Sequence, residues 1–457
     1  MKRTPRNKQR GVALLMVLTW IALMVALVSE FTYGTSVDAA QAANARDELR
    51  AHYLARSAVN LSRLLIKIQK QFVDPIMGQA QQLLGAAMGG NKTGAAGAGG
   101  TTPATGGGLG FSLRVTDYAG PLMGFFSGSK DEVGALGGLI GIDTSGVKGL
   151  GLKSGTFDAE ITYEDGKINV NCGGGFSPNV AKQKMTYRLL MGLMNSRRFE
   201  RMFTETDQNG QLNTRSDVAR AIIDWADGDE QGFAPDGMSA SGEDYRYDTT
   251  NDRYRAHNGL FDTVEELKMV RGASDAFMEA FQPHLTVYPS DKDCKVNLSV
   301  ISNKNGGDCT PLLMGVIRAA AQPDLLKPPA DPAILDDTRL YPIVSVLCDR
   351  ASAAGFDNLN TIIAMLQNPQ TAVMPDDPRY KIFQGLRPLT LSAADLGQVA
   401  KTGTPRIYRI TATGEAGKVK KKITAIIDSA GYVNNPLNTL NPAAERAAGV
   451  IRYWREE

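Results

Sequence analysis

The N-terminus carries the stretch that decides the fold: Arg10-Gly11, followed by VALLMVLTWIALMVALV from Val12 to Val28. These seventeen residues are apolar or nearly so, and they are just long enough to cross the core of a bilayer when the flanking residues help. The leader before them carries five basic residues and no acidic ones. Because basic flanks stay in the cytoplasm, we expect the rest of the chain to be exported.

Three kinds of N-terminal segment have a basic leader followed by an apolar run. A secretory signal peptide needs small residues after the apolar run, and Ser29-Glu30 makes a poor cleavage site. A plain signal anchor would keep its leader. The glycine that ends the basic leader resembles instead a prepilin-type signal, which a membrane peptidase cuts between Gly11 and Val12. Residues 1–11 would then be the leader, and the apolar helix would stay on the mature protein.

The apolar run continues into a helical pattern. Between Val12 and Gln71 there is no proline and only one glycine, Gly34, and apolar residues recur at helical spacing up to Ile68. We therefore predict one helix over residues 12–74 that ends before Pro75. About sixty residues would form a rod of roughly 90 Å, whose first part lies in a membrane or filament and whose second part packs under a globular head.

The remaining chain divides by composition and pattern. The predicted regions are a Gly/Ala-rich linker (75–113), strands (114–172), a first helical subdomain with an acidic loop (173–284), a strand pair with a second helical subdomain (285–400), a β-hairpin (401–428) and a tail (429–457). The predicted helices lie near 179–197, 199–205, 214–226, 262–271, 273–282, 311–321, 341–354, 357–367 and 391–399. We expect the tail to end in a brief helix, with Trp454 docked on the head.

Two segments with strand-turn-strand character, 157–171 and 285–298, each contain a Lys-apolar-Asn step. They suggest paired starting points for the two helical regions.

Charge and cysteine content limit the functional classes. Without the leader the chain carries 45 basic and 48 acidic residues, which argues against general nucleic-acid binding. Four cysteines in an exported chain suggest two disulfides with three possible connectivities, and the short loop makes Cys294 to Cys309 our first expectation. The three histidines and the absence of CxxC spacing give no zinc motif. No nucleophile, Walker or metalloprotease motif is present, so we do not expect an enzyme.

One group of residues in the sequence, an acidic loop, has the composition of a metal-binding site. Asp224, Asp227 and Asp229 close a predicted helix, and Glu243 and Asp244 follow after a Gly/Ser/Pro loop. Ca²⁺ takes roughly 6–8 oxygen ligands from carboxylates, carbonyls and water. The alternative is a solvated acidic loop that binds nothing.

The same residues carry a family resemblance. The DWxDxD…GED pattern from Asp224, together with YRAHNGLFDTVEELKMVRG at 254–272, is similar to the signature of the K-type minor pseudopilins of type II secretion, general secretion pathway protein K. The resemblance implies an α+β fold, with a pilin-like long N-terminal helix, a small antiparallel sheet and a large inserted SAM-like or helix-hairpin-helix-like helical region. It also implies a calcium site, with Asp224, Asp227, Asp229, Glu243 and Asp244 as the ligands.

One departure from the pilin pattern fits the K type. Pilins and major pseudopilins carry Glu as the fifth residue of the mature chain, where this chain has Met16. A carboxylate in an apolar helix bundle needs a positive partner, which a subunit with no neighbour above it would lack. Met16 is therefore expected in a subunit at the tip, although a lipid-facing residue of an ordinary anchor would look the same.

The resemblance implies a subunit that caps the periplasmic pseudopilus and supports export of folded proteins across the outer membrane. We expect a single-pass inner-membrane protein of a Gram-negative bacterium, with most of the chain in the periplasm. Its partners would be the I- and J-type minor pseudopilins, the major pseudopilin and the prepilin peptidase, and we expect Val12 to be N-methylated after cleavage. The alternatives are a membrane-anchored periplasmic Ca²⁺-binding or adhesion protein and a minor type IV pilin.

Overall fold

The computed structural model describes residues 10–74, 114, 116, 119–120, 123, 155–206, 212–237, 242–243, 247, 254–288, 293–303, 307–324, 327–429 and 449–457. The linker predicted at residues 75–113 lies outside these ranges, as do residues 1–9 of the predicted leader.

Over the described residues the chain combines one very long helix, short helices and short strands. The α-helices are α1 (Arg10–Ile68), α2 (Val180–Met194), α3 (Glu200–Thr204), α4 (Arg215–Ala226), α5 (Asp275–Phe281), α6 (Thr310–Ala321), α7 (Asp337–Ala354), α8 (Leu359–Gln367), α9 (Tyr380–Gln384) and α10 (Ala393–Val399). The 3₁₀ helices are Arg197–Phe199, Val264–Met269, Gln282–His284, Leu298–Val300, Pro332–Leu335 and Pro369–Ala372. The strands are β1 (Thr156–Tyr163), β2 (Ile168–Asn169), β3 (Leu285–Thr286), β4 (Val296–Asn297), β5 (Ala400–Lys401), β6 (Ile407–Ala416), β7 (Val419–Asp428) and β8 (Val450–Glu456).

The long N-terminal helix is present as predicted. It runs through Gly34 without a break and passes into a π-helical segment, Gln69–Val73, just before Pro75. Its segment Gly11–Ile68 is the one described helix long and apolar enough to cross a membrane; the mean hydropathy of its most apolar 18 residues is 2.6, and none of these is buried. The first fully buried residue is Ala51, so one helix joins an exposed N-terminal part, apolar from Val12 to Val28, to a C-terminal part packed on the head.

The C-terminal part of α1 packs on a four-stranded antiparallel sheet. Its strand order is β1-β6-β7-β8, and one row of side chains across it contains Ile161, Ile410, Ala425 and Trp454. The predicted hairpin is β6–β7. The helix predicted at the end of the tail is wrong, because the β-branched and aromatic residues of 450–456 pair with β7 as β8. Trp454 does pack on the core beneath α1.

Close packing of α1 on the sheet depends on small residues. Ala55, Ala58 and Val59 of α1 are fully buried against the sheet. At Gly414 of β6 a Cβ atom would overlap the carbonyl oxygen of Ala51, so only glycine allows the helix backbone to lie this close to the strand.

Two short parallel strand pairs enclose the helical segments. β2 pairs with β3, and α2 to α5 lie between them in the chain; β4 pairs with β5, and α6 to α10 lie between those. The suggestion of paired starting points for two helical regions is therefore confirmed. The expected strand-turn-strand units are not hairpins, because β1 pairs with β6 rather than with β2.

The helices of both regions share one hydrophobic core, which extends from Ile168 to Ala400. Its centre is the crossing of α2 and α6 at Gly192 and Gly315, where a Cβ on either glycine would overlap the other helix's backbone. All but one of the predicted helices are α-helices within a few residues of the predicted bounds; the segment near 262–271 is the 3₁₀ helix Val264–Met269. The short helix α9 was not predicted.

The disulfide prediction is wrong. Cys294 is bonded to Cys172 and Cys309 to Cys348, with Cα–Cα distances of 5.9 and 5.8 Å. The expectation for Cys294 and Cys309 relied on loop length, which describes how easily two residues meet in an unfolded chain. In the folded protein β4 and a 3₁₀ turn lead away from Cys294, and the end of β2 lies beside it instead.

Candidate metal centre

The end of α4 brings two carboxylates into the interior. The helix begins with a capping box between Thr214 and Asp217 and ends at Ala226. Asp224 therefore lies in its last turn, and Asp227 is its C-cap residue. Their exposed fractions are only 1% and 2%, respectively. Burying a carboxylate is costly unless another group compensates its charge.

The loop after α4 adds a third carboxylate. An isolated antiparallel bridge between Gln231 and Gly242 folds the loop back, so that Glu243, which is 2% exposed, points to the same place. One oxygen atom from each of Asp224, Asp227 and Glu243 lies within 4.8 Å of the other two. Three buried carboxylates thus share one small volume.

The segment of residues 173–175, called the glycine segment below, holds the start of this loop. The N–H of Gly175 donates to the carbonyl oxygen of Ala226 at 2.8 Å, and Gly175 forms a parallel bridge with Asp227. A Cβ at Gly174 would overlap the carbonyl of Ala226, so the segment could not approach this closely with a larger residue.

Hydrogen bonds hold two of the carboxylates. The N–H of Phe233 donates to Oδ1 of Asp224 at 2.5 Å, and Nε2 of Gln183 donates to Oδ2 of Asp227 at 2.7 Å. The other oxygen of Asp227 is buried and accepts no hydrogen bond from the described residues. No lysine or arginine in the described ranges forms a salt bridge with Asp227. Its charge is therefore poorly compensated without a cation.

The pKa of Asp227 agrees with this geometry. Burial, together with the negative charges of Asp224 and Asp229, raises the pKa of Asp227 to about 8, although the hydrogen bond from Gln183 opposes the rise. A pKa in this range means that Asp227 either holds a proton near neutral pH or loses it to a bound cation.

The structure brings together three of the five predicted ligands. Asp229 lies next to the group but outside it, and its Oδ1 accepts a hydrogen bond from the N–H of Gln231 at 2.8 Å. Asp244 lies outside the described residues. Gln183 was not predicted, because it precedes Asp227 by 44 residues and nothing in the local pattern of α2 marks it.

The donor set suits a hard divalent cation. It offers carboxylate oxygens and no sulfur or imidazole, which favours Ca²⁺ or Mg²⁺ over zinc. Ca²⁺ would need further oxygens from water or backbone carbonyls, and Gly228, between Asp227 and Asp229, is exposed to water. The residues present therefore fit a calcium ion.

The residues of the predicted processing site lie at the exposed start of α1. Gly11, Val12 and Met16 are helical, and Val12 and Met16 are 55% and 64% exposed. No described part of the head contacts them. This segment is free to contact lipid or other helices.

Comparison with known proteins supports the resemblance. Residues 178–290, which contain α2 to α5, β3 and the acidic loop, match the first domain of the family "Type II secretion system (T2SS), protein K". No curated protein matches the chain. A chain in the crystal structure of the GspK-GspI-GspJ complex from the enterotoxigenic Escherichia coli type 2 secretion system is similar at 12% identity and a TM-score of 0.38, over 66% of this chain and 80% of that one. Over residues 178–290 the chain thus matches the first domain of type II secretion system protein K, in agreement with the resemblance seen in the sequence.

Proposed function

We propose that the protein is a K-type minor pseudopilin, anchored in the inner membrane by α1 and exposing its head to the periplasm. The observation that carries the proposal is α1 itself: one unbroken helix whose apolar N-terminal half is exposed and whose C-terminal half packs on an antiparallel sheet. Such a helix can bundle with others in a membrane or filament while the head stays outside. The family match supports the same role.

The compartment follows from charge and cysteines. The basic leader favours a cytoplasmic N-terminus, and the head would then be periplasmic. Both cysteine pairs of the head are disulfides, which persist in an oxidising compartment such as the periplasm.

A place at the tip of the pseudopilus follows from Met16 and from the size of the head. Met16 replaces the carboxylate that a subunit inside the filament would pair with the N-terminal amine of its neighbour. The helical regions also add a large volume around the sheet, and this bulk would obstruct another subunit above it. We expect the I- and J-type minor pseudopilins to be its neighbours, with export of folded proteins as the outcome of assembly.

We further propose that Asp224, Asp227 and Glu243 bind Ca²⁺, with Asp229 and Asp244 as the remaining candidates. The ion would neutralise the buried negative charges and hold the loop of residues 227–243 against α4 and the glycine segment. Its role would be structural, and we propose no catalytic activity.

Photo-crosslinking in membranes tests the assembly. A photoreactive amino acid at Leu23, on the exposed half of α1, should crosslink to the I- and J-type pseudopilins. The same amino acid at Lys420, an exposed position of β7 on the head, is the control. Crosslinks from Leu23 to lipid alone, in cells that make all pseudopilins, would favour a solitary anchored Ca²⁺-binding or adhesion protein.

A further inference from the structure

A buried glutamine outside the acidic loop holds one of its carboxylates. Gln183, at the end of the first turn of α2, is 4% exposed, and its Nε2 atom is 2.7 Å from Oδ2 of Asp227. A buried amide without partners would be costly, so this bond is a specific feature of the site. It joins α2 directly to the group of three carboxylates.

Hydrogen bonds and a close glycine contact hold the backbone around Gln183. Asn179 caps α2 by accepting from the N–H of Lys182, and the N–H of Asn179 donates to the carbonyl oxygen of Gly173. Gly173 has a φ of +87°, and a Cβ there would lie 2.6 Å from the backbone nitrogen of Gln183 and 3.0 Å from its Cγ. The glycine thus allows the chain to lie directly on Gln183 and restricts its side chain.

The disulfide extends this restraint to the second helical region. Thr186, one turn beyond Gln183, donates its hydroxyl to the carbonyl oxygen of Cys172. Cys172 is bonded to Cys294, which lies just before β4. The segment Cys172-Gly173, which lies against Gln183, is therefore held by Thr186 of α2 and by the disulfide to Cys294.

We propose that Gln183 is a positioning residue of the cation site: its amide fixes Oδ2 of Asp227, so that Oδ1 is left to bind the cation. The proposal rests on the calcium proposal above. A carboxylate held through one oxygen binds metal through the other, whereas an unrestrained Asp227 could rotate away and let water take its place. Outer-shell partners of this kind typically change metal affinity about 10–100-fold.

Terbium luminescence in the detergent-solubilised full-length chain tests this role. Tb³⁺ replaces Ca²⁺ at oxygen sites, and Trp225, next to Asp224, can excite it. Lifetimes in H₂O and D₂O count the waters on the ion. In Gln183→Met, which keeps the length of the side chain but has no donor, we expect Tb³⁺ affinity to fall about 10–100-fold and the number of bound waters to rise by about one. The matched control is Gln398→Met, since Gln398 is an exposed helical glutamine whose amide donates to Asp395.

The outcomes separate the two proposals. If the wild type binds Tb³⁺ competitively with Ca²⁺ but Gln183→Met has the same affinity and hydration, the positioning role is wrong and the cation site remains. If the wild type itself gives no Trp-sensitised emission and no binding, the calcium proposal fails, and this one fails with it. Should Gln183→Met not fold by circular dichroism, Gln183→Asn, whose amide is one carbon too short to reach Asp227, replaces it with the same expected result.

Discussion

Asp227 is the residue through which the loop would depend on a cation in the proposed site. It is buried beside two other carboxylates, and its Oδ1 accepts no hydrogen bond from the described residues. In the absence of metal, repulsion within this group opposes folding of the loop. If the proposed cation binds, the same charges would instead hold the loop in place.

Asp227→Asn should therefore separate metal binding from folding. We expect the metal-free variant to be as stable as the wild type or more so, because a buried asparagine needs neither a proton nor a cation to be neutral beside Asp224. Calcium at 100 times its Kd should raise the unfolding free energy of the wild type by about 2.7 kcal/mol, and that of the variant much less. Urea unfolding with calcium or with chelator measures both, and Asp357→Asn, at an exposed aspartate, is the control. Equal calcium stabilisation of wild type and Asp227→Asn would exclude Asp227 as a ligand.

His284 should make stability depend on pH. It is 7% exposed, and burial lowers its pKa to about 4 from an ordinary value of 6.5. The unfolded chain therefore takes up a proton at a higher pH than the folded chain does. The stability that neutral His284 contributes is complete above about pH 6.5 and is lost as pH falls towards 4, by an amount on the order of 3 kcal/mol.

Urea unfolding of wild type and His284→Gln between pH 7.5 and 4 checks this prediction. The variant lacks the titrating group, so the wild type should lose more stability than the variant as the pH falls. Parallel curves over the whole range would mean that His284 titrates alike in the folded and unfolded chain.

At the level of elements, local periodicity predicted helices better than it predicted strand partners. The helical pattern from Val12 to Ile68 is visible because apolar residues repeat along one chain segment. The partner of β1 is β6, which lies more than two hundred residues further on, and no local signal links the two. The end of the tail shows the same limit: residues 450–456 form a strand because β7 offers an edge for pairing.

The crossing of α2 and α6 depends on two glycines that sequence alone does not mark. In Gly192→Ala the new methyl group would overlap the carbonyl of Gly315, so the helices must separate. We expect a loss of about 1–3 kcal/mol in unfolding free energy, as for other overpacked cores. Gly397→Ala in α10 is the control, because its Cβ would make only an ordinary contact with Leu359; there we expect no loss or a small gain. If both variants lost equal stability, the close crossing would not be the cause.

For the whole molecule, the sequence predicted the acidic loop but not what surrounds it. Asp224, Asp227 and Glu243 were found because their spacing is local and their chemistry is uniform. Gln183 and the disulfide partners were not, because tertiary packing, not spacing, brings them to their places. The parallel pairs β2–β3 and β4–β5 are examples. In each pair, two strands that are separated in the chain by several helices lie side by side.

The disulfides should be visible in the intact protein. Digestion without reductant should yield peptides that link Cys172 to Cys294 and Cys309 to Cys348. Removing either bond, for example by Cys309→Ser with Cys348→Ser, should cost about 2–5 kcal/mol of unfolding free energy. A peptide that links Cys294 to Cys309 would contradict the arrangement of β2 and β4 described above.

We propose that α1 is the helix of a processed pseudopilin rather than an ordinary anchor. The mass of the N-terminal peptide, from membranes of cells with an active prepilin peptidase, tests it most directly. We expect a peptide that starts at Val12 and carries one methyl group. A peptide that keeps Met1 and the basic leader, or one that starts beyond Val28, would contradict the claim.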